Sequence, residues 1–155
     1  MKTILLALLV SISTLSKSQT QTETIKYNKM KLNAGIITEK IKESKDFYLN
    51  ILNFGVSFEN DFYLLLHTPD KSAEISFLLP KHASQQPLFQ DAFQGKGVYL
   101  TIEVDDVDQI YRKLKDKQVD IKINLREEPW GDKHFAIQDP NGVGIDIVEY
   151  APPQD

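Results

Sequence analysis

The chain has 155 residues, 41% of them hydrophobic, and carries 22 Asp and Glu against 18 Lys and Arg, so its formal net charge is −4. This length predicts one globular domain, and the acidic balance argues against nucleic acid as a partner. The absence of cysteine excludes disulfides, thiolate chemistry and cysteine-type zinc sites.

The first 18 residues have the pattern of a secretory signal peptide. A basic start precedes a continuous apolar run at 4–10, and small residues stand three and one positions before a cleavage point ahead of Gln19. The run is too short for a membrane span. We therefore expect a periplasmic or secreted protein without membrane contact after cleavage, with a flexible polar arm at 19–30. A buried N-terminal strand or helix is the alternative.

Residues 31–96 are predicted to form one strand, one helix, three more strands and a linker. Alternation at 31–38 predicts a strand, whereas 41–52 repeats apolar residues at helical spacing and is followed by Gly55, a helix stop. Three further strands are expected at 56–58, 62–67 and 73–79. A polar segment at 81–96 then reads as a linker in which Leu88, Phe89 and Phe93 are isolated anchors.

The second half repeats the same order of elements. Residues 98–104 alternate cleanly as a strand, and 105–118 form an amphipathic helix with an Asp cap at its start and Leu114 on its apolar stripe. Strands are expected at 120–125, 134–138 and 145–150. The chain is therefore strand, helix, strand, strand, strand, twice, and an offset of 66 residues places Tyr99 over Asn33.

The turn at 139–142 and the strand after it draw attention to one acidic residue. Asp-Pro-Asn-Gly is strong turn chemistry, because proline fixes φ and Asn-Gly tolerates positive φ. In the strand that follows, Ile145 and Ile147 share one face, so Asp146 points to the other. A carboxylate on an inward face must be paired, hydrogen-bonded or bound to a cation. Asp146 is therefore the first candidate for a functional site.

Three motifs, in this order and spacing, resemble the vicinal oxygen chelate superfamily, which contains glyoxalase I, bleomycin-resistance proteins and extradiol dioxygenases. They are Asn33-Ala34-Gly35-Ile36 with Ser44-Lys45-Asp46-Phe47-Tyr48, then residues 97–107, and finally Pro129-Trp130-Gly131 with the last turn and strand. The resemblance implies an α+β fold of two βαβββ modules, which form a curled mixed β-sheet cavity with helices outside. Module one is then 31–80, the linker 81–96, module two 97–150 and the tail 151–155.

The resemblance also implies metal-ligand positions on the first and last strand of each module, at Asn33, Glu74, Tyr99 and Asp146. The family's usual ligands are His or Gln, Glu, His and Glu, so both imidazole positions are lost here. Asparagine offers one neutral oxygen, and a phenol with a pKa near ~10 is a poor ligand at neutral pH. We therefore expect no metal cofactor of the family type; a weakly held hard divalent ion is the alternative.

Other side chains are expected to line the same cavity. Trp130 is either a core plug or a stacking surface for a planar ligand, and His134 is either a packing residue or part of the pocket. The predicted ligand-binding set is Asn33, Glu74, Ser76, Tyr99, Thr101, Glu103, Trp130, His134 and Asp146. Its acidic members favour a cationic or polyhydroxylated ligand.

Three functions remain open from the sequence. The first is a bleomycin-resistance-like protein that binds a small molecule between its modules without a metal, as a monomer or a homodimer. The second is a metal-dependent lyase or isomerase of glyoxalase I type, with Glu74 or Asp146 as general base. The third is a partner-binding module whose exposed sheet edges pair with another chain.

Overall fold

We describe residues 30–152 of a computed structural model of the chain. The predicted signal peptide and nearly all of the predicted arm lie outside these residues. Neither α-helix of the described part is long and apolar enough to cross a membrane.

The first module begins with a strand and a helix and continues with three strands. Its elements are β1 Ala34–Ile37, α1 Ile41–Asn50, β2 Gly55–Glu59, β3 Tyr63–His67 and β4 Glu74–Leu78. The helix ends two residues earlier than expected, because Asn53 adopts a positive φ of 57° and the backbone N–H of Phe54 turns back to the carbonyl of Tyr48, 3.0 Å away.

The second module repeats this order. Its elements are β5 Tyr99–Glu103, α2 Val107–Asp116, β6 Ile123–Glu127, β7 Lys133–Gln138 and β8 Gly144–Glu149. The predicted cap is confirmed, because Asp106 Oδ1 accepts the backbone N–H of Gln109 at 2.8 Å. The carboxylate of Glu149 accepts the backbone N–H of Val107 at 3.0 Å, so the last strand also helps to cap α2.

Each module folds into one four-stranded mixed sheet. The strand orders are β1-β4-β3-β2 and β5-β8-β7-β6, with the first and last strand of each module parallel and the other pairs antiparallel. Both outer strands carry an irregular register at corresponding places, between Val56 and Phe58 in β2 and between Ile123 and Arg126 in β6. The predicted α+β fold of two βαβββ modules is therefore confirmed, as two separate sheets without a closed barrel.

The helices cover one face of each sheet, as the alternation of apolar residues predicts. Alternation predicts that Ile36, Ile75, Ile102 and Ile145 are buried on that face. The prediction is confirmed for Ile36, Ile75 and Ile145 and is wrong for Ile102, which is only partly buried. In module one the buried ring of Tyr48 lies 5.3–5.4 Å from the rings of its three aromatic neighbours. Leu114 anchors α2 in the same core cluster.

The linker is attached more firmly than its polar composition suggests. It contains one short 3₁₀-helix, Pro87–Phe89, and the backbone N–H of Phe93 donates to the carbonyl of Ile37 at 2.8 Å. Of the three expected apolar anchors, only Phe93 packs against the core, whereas Leu88 and Phe89 are exposed. The linker therefore adds a hydrogen bond to the free edge of β1.

The turn between β7 and β8 docks module two onto the start of α1. Asn141 Oδ1 accepts the hydroxyl of Thr38 at 2.7 Å, and its Nδ2 donates to Ser44 Oγ at 2.9 Å and to Asp139 Oδ2 at 3.0 Å. The Tyr48 hydroxyl lies 3.4 Å from the same Asp139 oxygen. Burial, and then the Asp139 carboxylate, raise the pKa of Tyr48, so its phenol stays a neutral donor.

Candidate functional site

Glu74 stands at the start of β4 in a cluster that satisfies both of its oxygens. Its Oε2 accepts from Lys31 Nζ at 3.0 Å and from Asn33 Nδ2 at 3.3 Å, and its Oε1 accepts from Ser57 Oγ at 3.1 Å. The hydrogen bond from Lys31 is the largest cause that lowers the pKa of Glu74. Glu74 is therefore a compensated carboxylate rather than a free base.

Asp146 belongs to a second cluster, built on β6, β7 and β8. Its Oδ1 lies 2.8 Å from His134 Nδ1, and the other ring nitrogen, Nε2, lies 2.9 Å from Glu128 Oε1. Hydrogen bonding to Glu128 and then to Asp146 raises the pKa of His134. An imidazolium that donates from both nitrogens satisfies this geometry.

Arg126 completes the second cluster. Its Nη2 lies 2.6 Å from Glu128 Oε1, and the pKa of Glu128 is lowered, first by its hydrogen bond from His134 and also by Arg126. Arg126 Nε lies 3.2 Å from His134 Nε2. Because an imidazolium has no lone pair there, we take Glu128 to be the partner of Nε2–H. The cluster thus holds two cations against two carboxylates.

The remaining predicted residues lie apart from these contacts. Tyr99 is 72% exposed, and Thr101 and Glu103 are exposed on the same strand. Ser76 is half-buried on β4, with its hydroxyl 3.4 Å from the carbonyl of Ala34. Trp130 is 60% exposed, and its indole N–H donates to Asp132 Oδ2 at 2.8 Å. The indole is therefore held at the surface and is not a core plug.

The nine predicted residues thus do not form one hydrogen-bonded site. Asn33 and Glu74 meet in module one, and His134 and Asp146 meet in module two. Within residues 30–152, no hydrogen bond or ion pair joins the two clusters.

The sheet registers show which positions correspond between the modules. Ala34 pairs with Ile75 and Gly35 with Ser76 in module one, as Leu100 pairs with Ile145 and Thr101 with Asp146 in module two. Asn33 and Tyr99 are therefore equivalent, in agreement with the offset of 66 residues. The counterpart of Asp146 is Ser76, however, and the counterpart of Glu74 is Gly144. Each of these two pairs of equivalent positions therefore holds one carboxylate, Asp146 in the first pair and Glu74 in the second.

The donor set does not fit the family's metal. Glu74 is occupied by three donors, Asp146 is hydrogen-bonded to His134, and Asn33 and Tyr99 are weak ligands. Across the described residues, no three His, Asp or Glu side chains are grouped so that they could hold a metal ion. A family-type metal centre would require breaking both existing clusters.

A cavity of about 640 Å³ lies between the modules, lined by residues of both helices and of strands β4 and β5. Its floor is apolar, and charged residues contribute to its lining. Of the predicted set, Glu74, Thr101 and Glu103 contribute to this lining. Its apolar lining includes Leu52, Phe54, Ile102, Val104, Ile110 and Leu114.

Sequence reasoning missed the partners of the acidic residues and the position of the cavity. Lys31 lies 43 residues from Glu74 along the chain, so no local pattern connects them. Arg126 and Glu128 carry a weak signal, because both follow the predicted strand at 120–125 and lead into the Pro129-Trp130-Gly131 loop. The family resemblance predicts a cavity between the modules, and the apolar residues at and just after the end of α1 are the local signal for the place where it lies.

Comparisons with solved structures show the same fold. The chain is similar to a bleomycin-binding protein complexed with bleomycin (18% identity, 79% of this chain, 100% of that chain, TM-score 0.58). It is also similar to a lactoylglutathione lyase from Agrobacterium tumefaciens (13% identity, 80% of this chain, 95% of that chain, TM-score 0.63). A third similar structure is a glyoxalase/bleomycin resistance protein/dioxygenase from Nocardioides (14% identity, 86% of this chain, 92% of that chain, TM-score 0.68). A search of curated proteins gave no match.

A family model matches residues 32–147, which span both modules and the linker. This agrees with the two-module sheet topology and with the motifs in the sequence. The chain therefore belongs to the glyoxalase/bleomycin resistance protein/dioxygenase superfamily.

Proposed function

We propose that the chain is a binding protein that holds a small molecule in the cavity between its two modules and needs no metal to do so. The observation that carries this proposal is the cavity itself. Its volume of about 640 Å³ and its apolar floor are typical of small-molecule sites in proteins.

The compensated carboxylates support binding without a metal. Lys31 supplies a positive charge at Glu74, and His134 with Arg126 supplies positive charge at Asp146 and Glu128. A divalent ion would have to displace these internal cations before it could bind. The desolvation and hydrogen-bond costs of that exchange disfavour it.

The same contacts weigh against the lyase or isomerase alternative. A general base needs a carboxylate that can reach a substrate proton, but Glu74 is held by three donors and Asp146 by His134. The solved structures with this fold include both a bleomycin-binding protein and a lactoylglutathione lyase. The fold therefore permits either function, and the local chemistry favours binding.

Two further expectations belong to this proposal. The protein acts outside the cytoplasm, because its N-terminal sequence has the pattern of a signal peptide. It works as a monomer or as a homodimer, which light scattering of the purified mature chain distinguishes.

A neutral apolar fluorophore, N-phenyl-1-naphthylamine, tests the proposal. We expect saturable binding in the presence of EDTA, unchanged by added Zn²⁺, Ni²⁺ or Mg²⁺. Leu52→Trp, which fills the cavity, should weaken binding by about tenfold or more. The matched control Leu88→Trp adds an indole at a linker residue that is 83% exposed and should leave binding unchanged.

Circular dichroism must first show that both variants are folded. Absence of saturable binding to the folded parent, or equal weakening by both substitutions, would contradict the proposal. Binding that appears only after a metal is added would favour the enzyme alternative.

A further inference from the structure

We propose that the cavity between the modules selects apolar molecules that carry a positively charged group. This inference rests on the proposed function, because it concerns the ligand class of the same cavity. It depends on the way the cavity is built and on the charges around it.

The cavity occupies a place where the internal symmetry of the chain is broken. At the start of α1, the turn of module two at 139–142 is hydrogen-bonded to Thr38 and Ser44 of module one. The offset of 66 residues makes Val104 and Ile110 their counterparts at the start of α2. Neither can hydrogen-bond a turn through its side chain, and both line the cavity.

The corresponding turn of module one, at 68–72, borders the cavity near the start of α2, and its polar side chains hydrogen-bond to one another. Asp70 Oδ1 accepts from the hydroxyls of Thr68 at 2.6 Å and Ser72 at 2.9 Å, and from the backbone N–H of Ser72 at 3.2 Å. All three residues line the cavity. The turn therefore borders the space, whereas its counterpart at 139–142 fills the corresponding place at the start of α1 with polar contacts.

The floor of the space is apolar and partly open to solvent. Leu52 and Phe54, which follow α1, line the cavity together with Ile102 and Ile110 from module two, and all four remain partly exposed. Burying such side chains against a ligand is favourable by about 25 cal/mol per Å² of apolar surface removed from water. This floor suits an aliphatic or aromatic group.

The ionisable residues of the lining give the cavity a net negative charge. Asp70, Glu74, Glu103, Asp105 and Lys113 contribute to it, and Glu74 already has Lys31 as its partner. Over residues 30–152, the ion pairs include no cation for the other three carboxylates. One lysine therefore stands against three uncompensated acids.

Asp70 keeps its charge under all ordinary conditions. Hydrogen bonds from Thr68 and then Ser72 lower its pKa to about 2. Asp70, Glu103 and Asp105 are exposed at the rim of the cavity, so they attract a cation over a distance and salt screens this attraction. A primary amine, guanidinium or quaternary ammonium at one end of an apolar ligand would be attracted to this rim, and an anion would be repelled.

Three ligands with one hydrophobe and different charges test this inference: 1-naphthylmethylamine, 1-naphthalenemethanol and 1-naphthoate, titrated calorimetrically into the mature chain at pH 7. We expect the amine to bind about fivefold or more tightly than the alcohol, and the naphthoate to bind most weakly. The difference in affinity between the amine and the alcohol should shrink in 0.5 M NaCl, because this salt shortens the Debye length to below about 5 Å.

Variants separate the rim charges from the general acidity of the chain. Asp70→Asn with Asp105→Asn should reduce the preference for the amine by about threefold or more and leave binding of the alcohol unchanged. Asp61→Asn with Asp91→Asn removes two charges from exposed positions outside the cavity lining and should leave the preference intact.

The outcomes distinguish this inference from the proposed function. Equal binding of the three ligands would overturn the charge selection while the cavity remained a binding site. Tighter binding of the naphthoate would overturn it as well. Failure of all three ligands to bind the folded chain, together with failure of N-phenyl-1-naphthylamine, would overturn both.

Discussion

Replacing Asn141 by alanine should weaken the junction between the two modules. The side chain makes three hydrogen bonds, and two of them cross from module two to Thr38 and Ser44 of module one. Ser44 is fully buried, and Thr38 is only 7% exposed. Water can therefore not simply replace the lost partner.

The magnitude follows from these contacts. Each intermodule hydrogen bond contributes about 1 kcal/mol net, and a buried hydroxyl left without an acceptor costs about 1–3 kcal/mol. Ser44 keeps its 2.7 Å bond to the carbonyl of Lys40, so the penalty falls mainly on Thr38. We expect Asn141→Ala to lower the free energy of unfolding by about 2–4 kcal/mol.

Urea unfolding monitored by circular dichroism measures this loss. The midpoint should fall by about 1–2 M with little change in slope. Asn124→Ala is the matched control, because Asn124 accepts a single hydrogen bond from the Tyr111 hydroxyl at an exposed site. A double-mutant cycle with Thr38→Val should give a coupling of about 1 kcal/mol. The reasoning is refuted if Asn141→Ala and Asn124→Ala are equally stable.

Three other predictions concern the core, the second cluster and export. Leu114→Ala should cost about 2–5 kcal/mol in urea unfolding, because Leu114 is buried under α2; a loss below about 1 kcal/mol would place that helix outside the core. The raised pKa of His134 should stabilise the parent over His134→Gln below the unfolded-state pKa of about 6.5, and this advantage should vanish as pH rises through the higher folded-state pKa; an advantage that grows with pH would exclude the imidazolium. Mass spectrometry of the protein from its host should find an N-terminus at or near Gln19, and an intact Met1 with no shorter form would exclude cleavage.

The fold could be predicted because its signals are local. Alternation in β4 places Ile75 and Phe77 on the buried face, and the polarity of Asp106 ahead of the apolar stripe of α2 marks a helix start. Boundaries were less accurate where the tertiary structure decides them. Strand β6 begins at Ile123 rather than at residue 120, because its start is set by pairing with β7 across an irregular register.

The site was harder to predict because its contacts depend on strand register. His134 and Asp146 are 12 residues apart, and their contact exists only because β7 pairs with β8 in one particular register. The registers of β1 with β4 and of β5 with β8 make Ser76, and not Glu74, the counterpart of Asp146. A shift of two residues keeps a side chain on the same face, so alternation alone could not distinguish Glu74 from Ser76.

The irregular registers in β2 and β6 have a consequence for association between chains. These strands are the outer edges of the two sheets, and they expose Val56, Phe58 and Ile123. A flat apolar edge of this kind would invite strands of other molecules to add to it, but a bulge bends the edge and interrupts its row of backbone donors and acceptors. We therefore expect the two corresponding bulges to disfavour edge-to-edge association, which matters for a chain without disulfides.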